Sequence, residues 1–486
     1  MVVARKHKMF IGGKWTDASN GETFEDLNPY TGEVYANVPA GTPEDVKRAV
    51  DEAHAAFPEW ADTAPGARRE IFLKAADVME SRQDELVRAM MEEVGGTIGI
   101  SMFQMHFVPG LYRMAASAPY DVKGETIPAD HDNSFFMSIR QPAGVVACFA
   151  PFNVPYILGS RSFTLPMAYG NTIVLKPSEE APLTGGILLA EIFEEAGLPP
   201  GVLNVVTTTR EDAAEAGDVM ISHPAVRRVS FTGSTEVGRL IAEKAGRHLK
   251  RAVLELGGKD PLIILGDADV DYAVDAAAWG AFLHQGQICM STERIIVEKS
   301  IAKEFTQKLK DRALTIPTGD PTNPATAIGP LINQRAVEKV HAHVQEAIAG
   351  GAELVAGGQY DNLVYHPTIV TDVKPDMKLL TDQTFGPVAP IVVVKDREEA
   401  LAVANDSKYG LSAGIITNDF TKAMDMALRL ETGMVHIGDQ TVNDEPQAPF
   451  GGVKGSGYGR FGGTAALDEF TELRWINVQR VPRTFP

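Results

Sequence analysis

A chain of 486 residues exceeds one ordinary domain, and 44% hydrophobic with 22% charged residues is the composition of a folded protein with sizeable cores, so two or three domains are expected. A formal net charge of −19 argues against nucleic acid, which demands clustered Lys and Arg, and disfavours anionic membrane surfaces. No apolar run is long enough to cross a bilayer, no apolar signal core follows the basic residues 1–8, and Cys148 and Cys289 make no disulfide framework, all of which points to a reducing cytoplasm.

Residues 42–57 place Val46, Ala49, Val50, Ala53 and Phe57 at helical spacing behind a Thr42-Pro43-Glu44 cap. Residues 68–94 read as two further helices, and 134–141 as an exposed strand. From Val145 short apolar runs alternate with helices. Residues 144–149, 171–175, 202–206 and 228–231 read as strands, with helices over 183–196 and 235–245. Such alternation implies an α/β fold with a doubly wound parallel sheet, whose ligands bind at the carboxyl ends of the strands. A second α/β stretch begins near Pro261, with helices over 270–282 and 335–349 and strands over 294–297, 390–394 and 411–416. Residues 469–479 read as a late strand.

The chemistry-bearing segments begin with Gly286-Gln287-Ile288-Cys289-Met290 and Glu255-Leu256-Gly257-Gly258-Lys259. A thiol can be the nucleophile of a covalent mechanism, and a carboxylate can activate the water that ends it. For Cys289 an inert buried thiol is the equal alternative, but Gly286, Gln287 and Ser291 flank it rather than a continuous apolar run, whereas Cys148 lies inside an apolar strand as a packed core thiol. Phe231-Thr232-Gly233-Ser234 crosses a strand-to-helix junction where Gly233 admits close approach and free amides suit a pyrophosphate; standing alone, it reads first as an ordinary tight turn. Lys176-Pro177-Ser178-Glu179 follows a strand end. Lys176 can reach ribose hydroxyls or phosphate, and Glu179 an adenosine ribose diol, which favours NAD over NADP; a solvated charged loop is the plainer alternative. In Pro151-Phe152-Asn153, the Asn153 amide is a candidate oxyanion donor or a turn residue. His284 is expected at a surface or helix end. No Cys/His/Asp cluster has metal-ligand spacing.

In this order the segments resemble the aldehyde dehydrogenase superfamily over nearly the whole chain, joined by Thr384-Phe385-Gly386-Pro387 and Pro449-Phe450-Gly451-Gly452. Closer similarity is to the salicylaldehyde, benzaldehyde and vanillin dehydrogenase group, through residues 286–294, Arg210-Glu211-Asp212-Ala213 and the stretch from Val435 to Glu445. The resemblance implies an NAD-binding domain (1–123 and 143–254), a catalytic domain (255–465) and oligomerisation strands (124–142 and 466–486) of a homodimer or homotetramer. It implies catalysis by Cys289, Glu255 and Asn153, and NAD contacts from Phe152, Lys176, Ser178, Glu179, Gly233, Ser234, Gln383 and Phe385. NADP is the alternative cofactor.

If the chain after Asn153 is helical, Val154, Leu158 and Arg161 share one face, and with Ile288, Met290 and Phe450 they line a slot for an aromatic ring, with Arg161 near a ring hydroxyl. Arg161 as a surface or salt-bridged residue is the competing reading. Gln383 stands where the family usually has Glu, residues 207–210 lack the glycines often found there, and His284 replaces a frequent Asn. The rival functions are an aliphatic aldehyde or semialdehyde dehydrogenase, a coenzyme-A-acylating enzyme, which Glu255 argues against, and a non-catalytic binding protein of the same fold.

Overall fold

A computed structural model describes residues 5–485, so residues 1–4 of the basic N-terminal stretch and Pro486 lie outside the described residues. The strand Val145–Ala150 is buried at every position because both its faces are covered. Val146, Cys148 and Ala150 face a core with Phe72, Tyr156, Phe163 and Phe193, whereas Val145, Ala147 and Phe149 face Val46, Val50, Met220 and Ile241. The helices Pro65–Ser81, Pro155–Ala168 and Leu188–Glu195 therefore cover one face, and Pro43–Asp62, Ala213–Ser222 and Thr235–Arg247 the other.

This doubly wound sheet has eight strands, of which the central ones are parallel. From Val145–Ala150 the chain steps outward through Thr172–Pro177 to Leu203–Val205, then returns to lay Val226–Thr232 and Arg251–Glu255 on the other side. The order reverses between Val145–Ala150 and Val226–Thr232, the switch point whose carboxyl ends are where such sheets bind ligands. Both edges are antiparallel, closed by Met9–Ile11 with Lys14–Thr16 and by Gly457–Tyr458.

The second sheet has seven strands, parallel except for the edge strand Glu353–Ala356. The helices Val270–Phe282 and Lys299–Leu314 pack on one face, and Arg397–Asn405 and Phe420–Ala427 on the other. Residues 256–259 are all that separate the last strand of one sheet, ending at Glu255, from Asp260–Ile264 of the next. The carboxyl edge of the first sheet consequently faces the amino edge of the second. Apart from these sheets, Ser134–Pro142 pairs antiparallel with Glu125–Ile127 and, along its whole length, with Thr471–Gln479.

Some elements differ from the sequence reading. The segment expected as a helix over 183–196 opens with a π-helical turn, Leu183–Ile187, before Leu188–Glu195. Lys176 lies within the strand Thr172–Pro177 rather than after it. The helices Ile98–Ser117 and Lys299–Leu314 were not foreseen.

Candidate active site

Cys289 follows a backbone that no ordinary turn supplies. After Val270–Phe282, residues His284, Gln285 and Gly286 hold φ of 49°, 58° and 69°, a left-handed run costly for the two non-glycines. A Cβ on Gly286 would lie 2.2 Å from the Gly386 carbonyl oxygen, so this position excludes a side chain. The run is pinned by Gln285 Nε2, which donates to the carbonyls of Gly95 (3.1 Å) and Pro330 (2.9 Å), and by Gln287 Oε1, which accepts from the Ile332 amide (3.1 Å). Three residues on, the strand Thr292–Glu298 enters the second sheet.

The thiol is half-buried in the wall of a cavity of about 710 Å³. Val154, Leu158, Arg161, Ile288, Met290 and Phe450 all line this cavity. So do Ile100, Phe103, Trp279 and Phe282, which sequence reasoning did not select. Phe103 and Trp279 are large apolar side chains left exposed, a signal that only the fold reveals. Arg161 is buried and ion-paired with Asp444, and its guanidinium carbon lies 4.2 Å from the Phe450 ring centroid. It is thus both a salt-bridged residue and a wall of the slot. A larger cavity, about 1100 Å³, opens elsewhere among Asn28, Tyr35, Glu85, Arg88 and Asp320, and Cys289 is not part of it.

Glu255 is 1% exposed, and neither carboxylate oxygen has a well-formed hydrogen bond among the described residues. Burial pushes its carboxyl up to about 7, although the nearby Cys289 thiol and Thr232 hydroxyl act to lower it. Burial likewise pushes the Cys289 thiol well above its ordinary range, and the Glu255 charge pushes it further. A carboxyl that titrates near neutrality beside a thiol is suited to taking a proton from water.

Asn153 is buried, and its Nδ2 donates to the Gln287 carbonyl (2.9 Å). That bond uses one amide hydrogen and leaves the other. The Asn153 carbonyl is 2.5 Å from His284 Nε2. His284 is therefore no surface residue: it is 1% exposed, and burial lowers it to about 4, so it is neutral.

The switch point of the first sheet gathers the remaining residues. Lys176 is buried, with the Pro177 carbonyl at 3.3 Å as its one hydrogen-bond acceptor among the described residues, and burial lowers its pKa. Such an underpaired ammonium suits ribose hydroxyls. Ser178 Oγ accepts from the Glu180 amide (3.2 Å), and Glu179 pairs with Arg210 (3.3 Å). Ser234 caps the helix Thr235–Arg247 by accepting from the Val237 amide, and a Cβ on Gly233 would meet the Phe231 ring at 2.7 Å. First-turn amides of this helix suit a pyrophosphate. Phe385 has φ 60° and its ring meets Phe152 edge-on, 6.1 Å between centroids. Gln383 lies against Gly257, where a Cβ would stand 2.4 Å from Gln383 Oε1. These residues fit a dinucleotide. Among the described residues no His, Cys, Asp or Glu group has a metal-holding arrangement. Cys148 is buried, its thiol donating to the Ser162 carbonyl (3.2 Å).

Known proteins are similar to this chain over nearly its whole length. Residues 15–476 match the model of the aldehyde dehydrogenase family. A vanillin dehydrogenase of Pseudomonas sp. is 46% identical over 98% of this chain and 99% of its own. A benzaldehyde dehydrogenase [NAD(+)] of Pseudomonas putida is 42% identical over 98% of this chain and 97% of its own. The crystal structure of a salicylaldehyde dehydrogenase from Pseudomonas putida G7 complexed with salicylaldehyde superposes with a TM-score of 0.97 at 42% identity, covering 99% of this chain and 100% of that one.

Proposed function

The chain belongs to the aldehyde dehydrogenase family, and on that premise we propose that it oxidises an aromatic aldehyde, of the benzaldehyde, salicylaldehyde or vanillin type, to the carboxylic acid with NAD. The observation that carries the reading is Cys289 in the wall of a cavity lined by Phe103, Trp279, Phe282 and Phe450, with Glu255 within its electrostatic reach. A planar ring buries well against such a wall, which shields it from water and holds the formyl group near sulfur.

Having given up its proton to solvent in the cavity, Cys289 adds as the thiolate to the carbonyl carbon to give a thiohemiacetal. The free hydrogen of Asn153 Nδ2 and the Cys289 backbone amide hold the oxyanion. NAD, when bound, supplies the acceptor for the formyl hydrogen and its electron pair. Lys176 and Glu179 would hold its adenosine side, Ser178, Gly233 and Ser234 the phosphates and their surroundings, and Phe152, Gln383 and Phe385 the nicotinamide side. Glu255 then takes a proton from water, the water oxygen attacks the Cys289 thioester, and the carboxylic acid leaves as the thiol reforms. With Glu255 present, water rather than coenzyme A releases the acyl group.

The first sheet with its helices is the NAD-binding domain in this reading, the second the catalytic domain, and the three-stranded sheet the oligomerisation element. Leu473, Trp475 and Val478 lie exposed on its outermost strand, Thr471–Gln479, which suits a homodimer or homotetramer. Two free thiols suit a reducing cytoplasm. The test is an aldehyde panel with NAD and with NADP, followed by NADH or NADPH absorbance. Turnover of benzaldehydes that vanishes in Cys289→Ser supports the reading, and preference for aliphatic aldehydes or semialdehydes sinks its aromatic part.

A further inference from the structure

Behind the nucleophile lies a buried ion pair that the reaction steps above do not use. Lys259 and Glu293 are fully enclosed, with Nζ 2.5 Å from Oε2. Lys259 closes the segment that begins at Glu255, and Glu293 follows Cys289 by four residues. The Glu293 carboxylate also binds a third segment: Oε2 accepts from the Thr384 amide (2.7 Å) and Oε1 from the Phe385 amide (2.9 Å). Lys259 Nζ also donates to Thr384 Oγ1 (3.2 Å). The Lys259 carbonyl in turn accepts from Arg294 Nε (2.8 Å).

A buried ion pair is poor evidence of stability, since desolvation offsets much of the attraction, so its value lies in what it orients. Here it joins the strand-end segment of Glu255, the segment of Cys289 and the turn that carries Gln383 and Phe385. That turn holds Phe385 at φ 60°, a conformation that needs outside support in a residue with a side chain. Two charge-assisted amide bonds to one carboxylate supply that support. We infer that Glu293, held by Lys259, is a positioning residue that fixes the Gln383–Phe385 turn relative to Cys289. Glu293 touches neither substrate nor cofactor; it acts through the Thr384 and Phe385 amides.

This inference rests on the NAD-linked reading above, and its test separates the two. Glu293→Gln retains one acceptor oxygen and so leaves one of the two amides without a partner. In the cofactor-free protein, hydrogen exchange of the peptide spanning residues 383–387 is expected to accelerate roughly 10-fold. Ester hydrolysis of p-nitrophenyl acetate, which needs Cys289 and Glu255 but no hydride acceptor, is expected to stay within about 2-fold of the parent. Single-turnover NADH formation from benzaldehyde is expected to slow roughly 10-fold, with a larger isotope effect for the formyl-deuterated aldehyde. If Glu293→Gln does not fold because Lys259 is left unpaired, Lys259→Met/Glu293→Gln removes both charges together and is read the same way. Unchanged exchange at 383–387, or ester hydrolysis lost in step with NADH formation, overturns the positioning role. Absence of NADH production by the parent sinks the dehydrogenase reading instead, and leaves the exchange result to judge the tie between the segments.

Discussion

The Arg161 guanidinium lies over the Phe450 ring, 4.2 Å from its centroid, while Asp444, 283 residues away in sequence, holds the same group from the side. The cavity therefore ends in a cation whose charge is partly spent inside the protein. A substrate hydroxyl or phenolate near Arg161 gains from it only in competition with Asp444. Arg161→Ala is expected to reduce the preference for hydroxylated over plain benzaldehydes in relative kcat/KM. It also strands the mostly buried Asp444 carboxylate, at a cost of about 3 kcal/mol in stability. Asp444→Asn added to Arg161→Ala should recover part of that stability without restoring the preference. Equal kcat/KM ratios in parent and Arg161→Ala would remove Arg161 from substrate selection.

Glu255 predicts a pH-dependent trade between stability and function. Its folded pKa, raised to about 7 chiefly by burial, exceeds the value of an exposed carboxyl. The folded state thus binds the proton more tightly, and stability falls as pH rises toward 7 and then levels. Above pH 7 the penalty is on the order of 3 kcal/mol by linkage. Glu255→Gln should melt higher than the parent at pH 8 and about equally near pH 4, where the parent's carboxyl is protonated too. Equal melting temperatures at pH 8 would show that the buried charge is compensated by other means.

Removing that carboxylate also acts on the thiol. The Glu255 charge adds to the upward shift of Cys289, so Glu255→Gln should move the pH midpoint of Cys289 alkylation by iodoacetamide downward. A midpoint that stays or rises would contradict the coupling.

His284 donates from Nε2 to the Asn153 carbonyl and, lowered to about 4 by burial, carries no charge in the assay range. Its substitution should act on rate rather than on pH dependence. His284→Ala is expected to lower kcat about 10-fold through a loosened Asn153, with the pH–rate profile between 5 and 9 unchanged in shape. Loss of an inflection in that range would instead assign His284 a titrating role.

On the cofactor side, Glu179 is expected to repel a 2′-phosphate and also occupies Arg210, 3.3 Å away, so removing its charge both lifts the repulsion and frees a cation. Glu179→Gln should therefore raise the NADP-to-NAD ratio of kcat/KM by roughly 10-fold, equivalent to about 1.4 kcal/mol. An unchanged ratio would place cofactor choice elsewhere.

The parallel strands were legible because burial on both faces writes itself as continuous apolar runs, as in Val145–Ala150 and residues 261–264. The helix Ile98–Ser117 escaped notice because Gly99, Pro109 and Gly110 interrupt it and its apolar residues do not form one stripe. With it went Ile100 and Phe103 of the cavity wall. Cys289, Glu255 and Asn153 stood out through their local motifs, but the partners that hold them did not. Nothing local in the sequence links Asp444 to Arg161, Glu293 to the amides of Thr384 and Phe385, or His284 to the Asn153 carbonyl, since tertiary folding alone brings these pairs together.

The central claim is that the acyl group resides on Cys289 before Glu255 releases it. The direct measurement is mass spectrometry of Glu255→Gln after brief mixing with benzaldehyde and NAD. The account predicts a burst of NADH together with a benzoyl adduct on the peptide that carries Cys289, and neither in Cys289→Ser. NADH formed without any adduct at Cys289, or turnover that survives in Cys289→Ser, would contradict it.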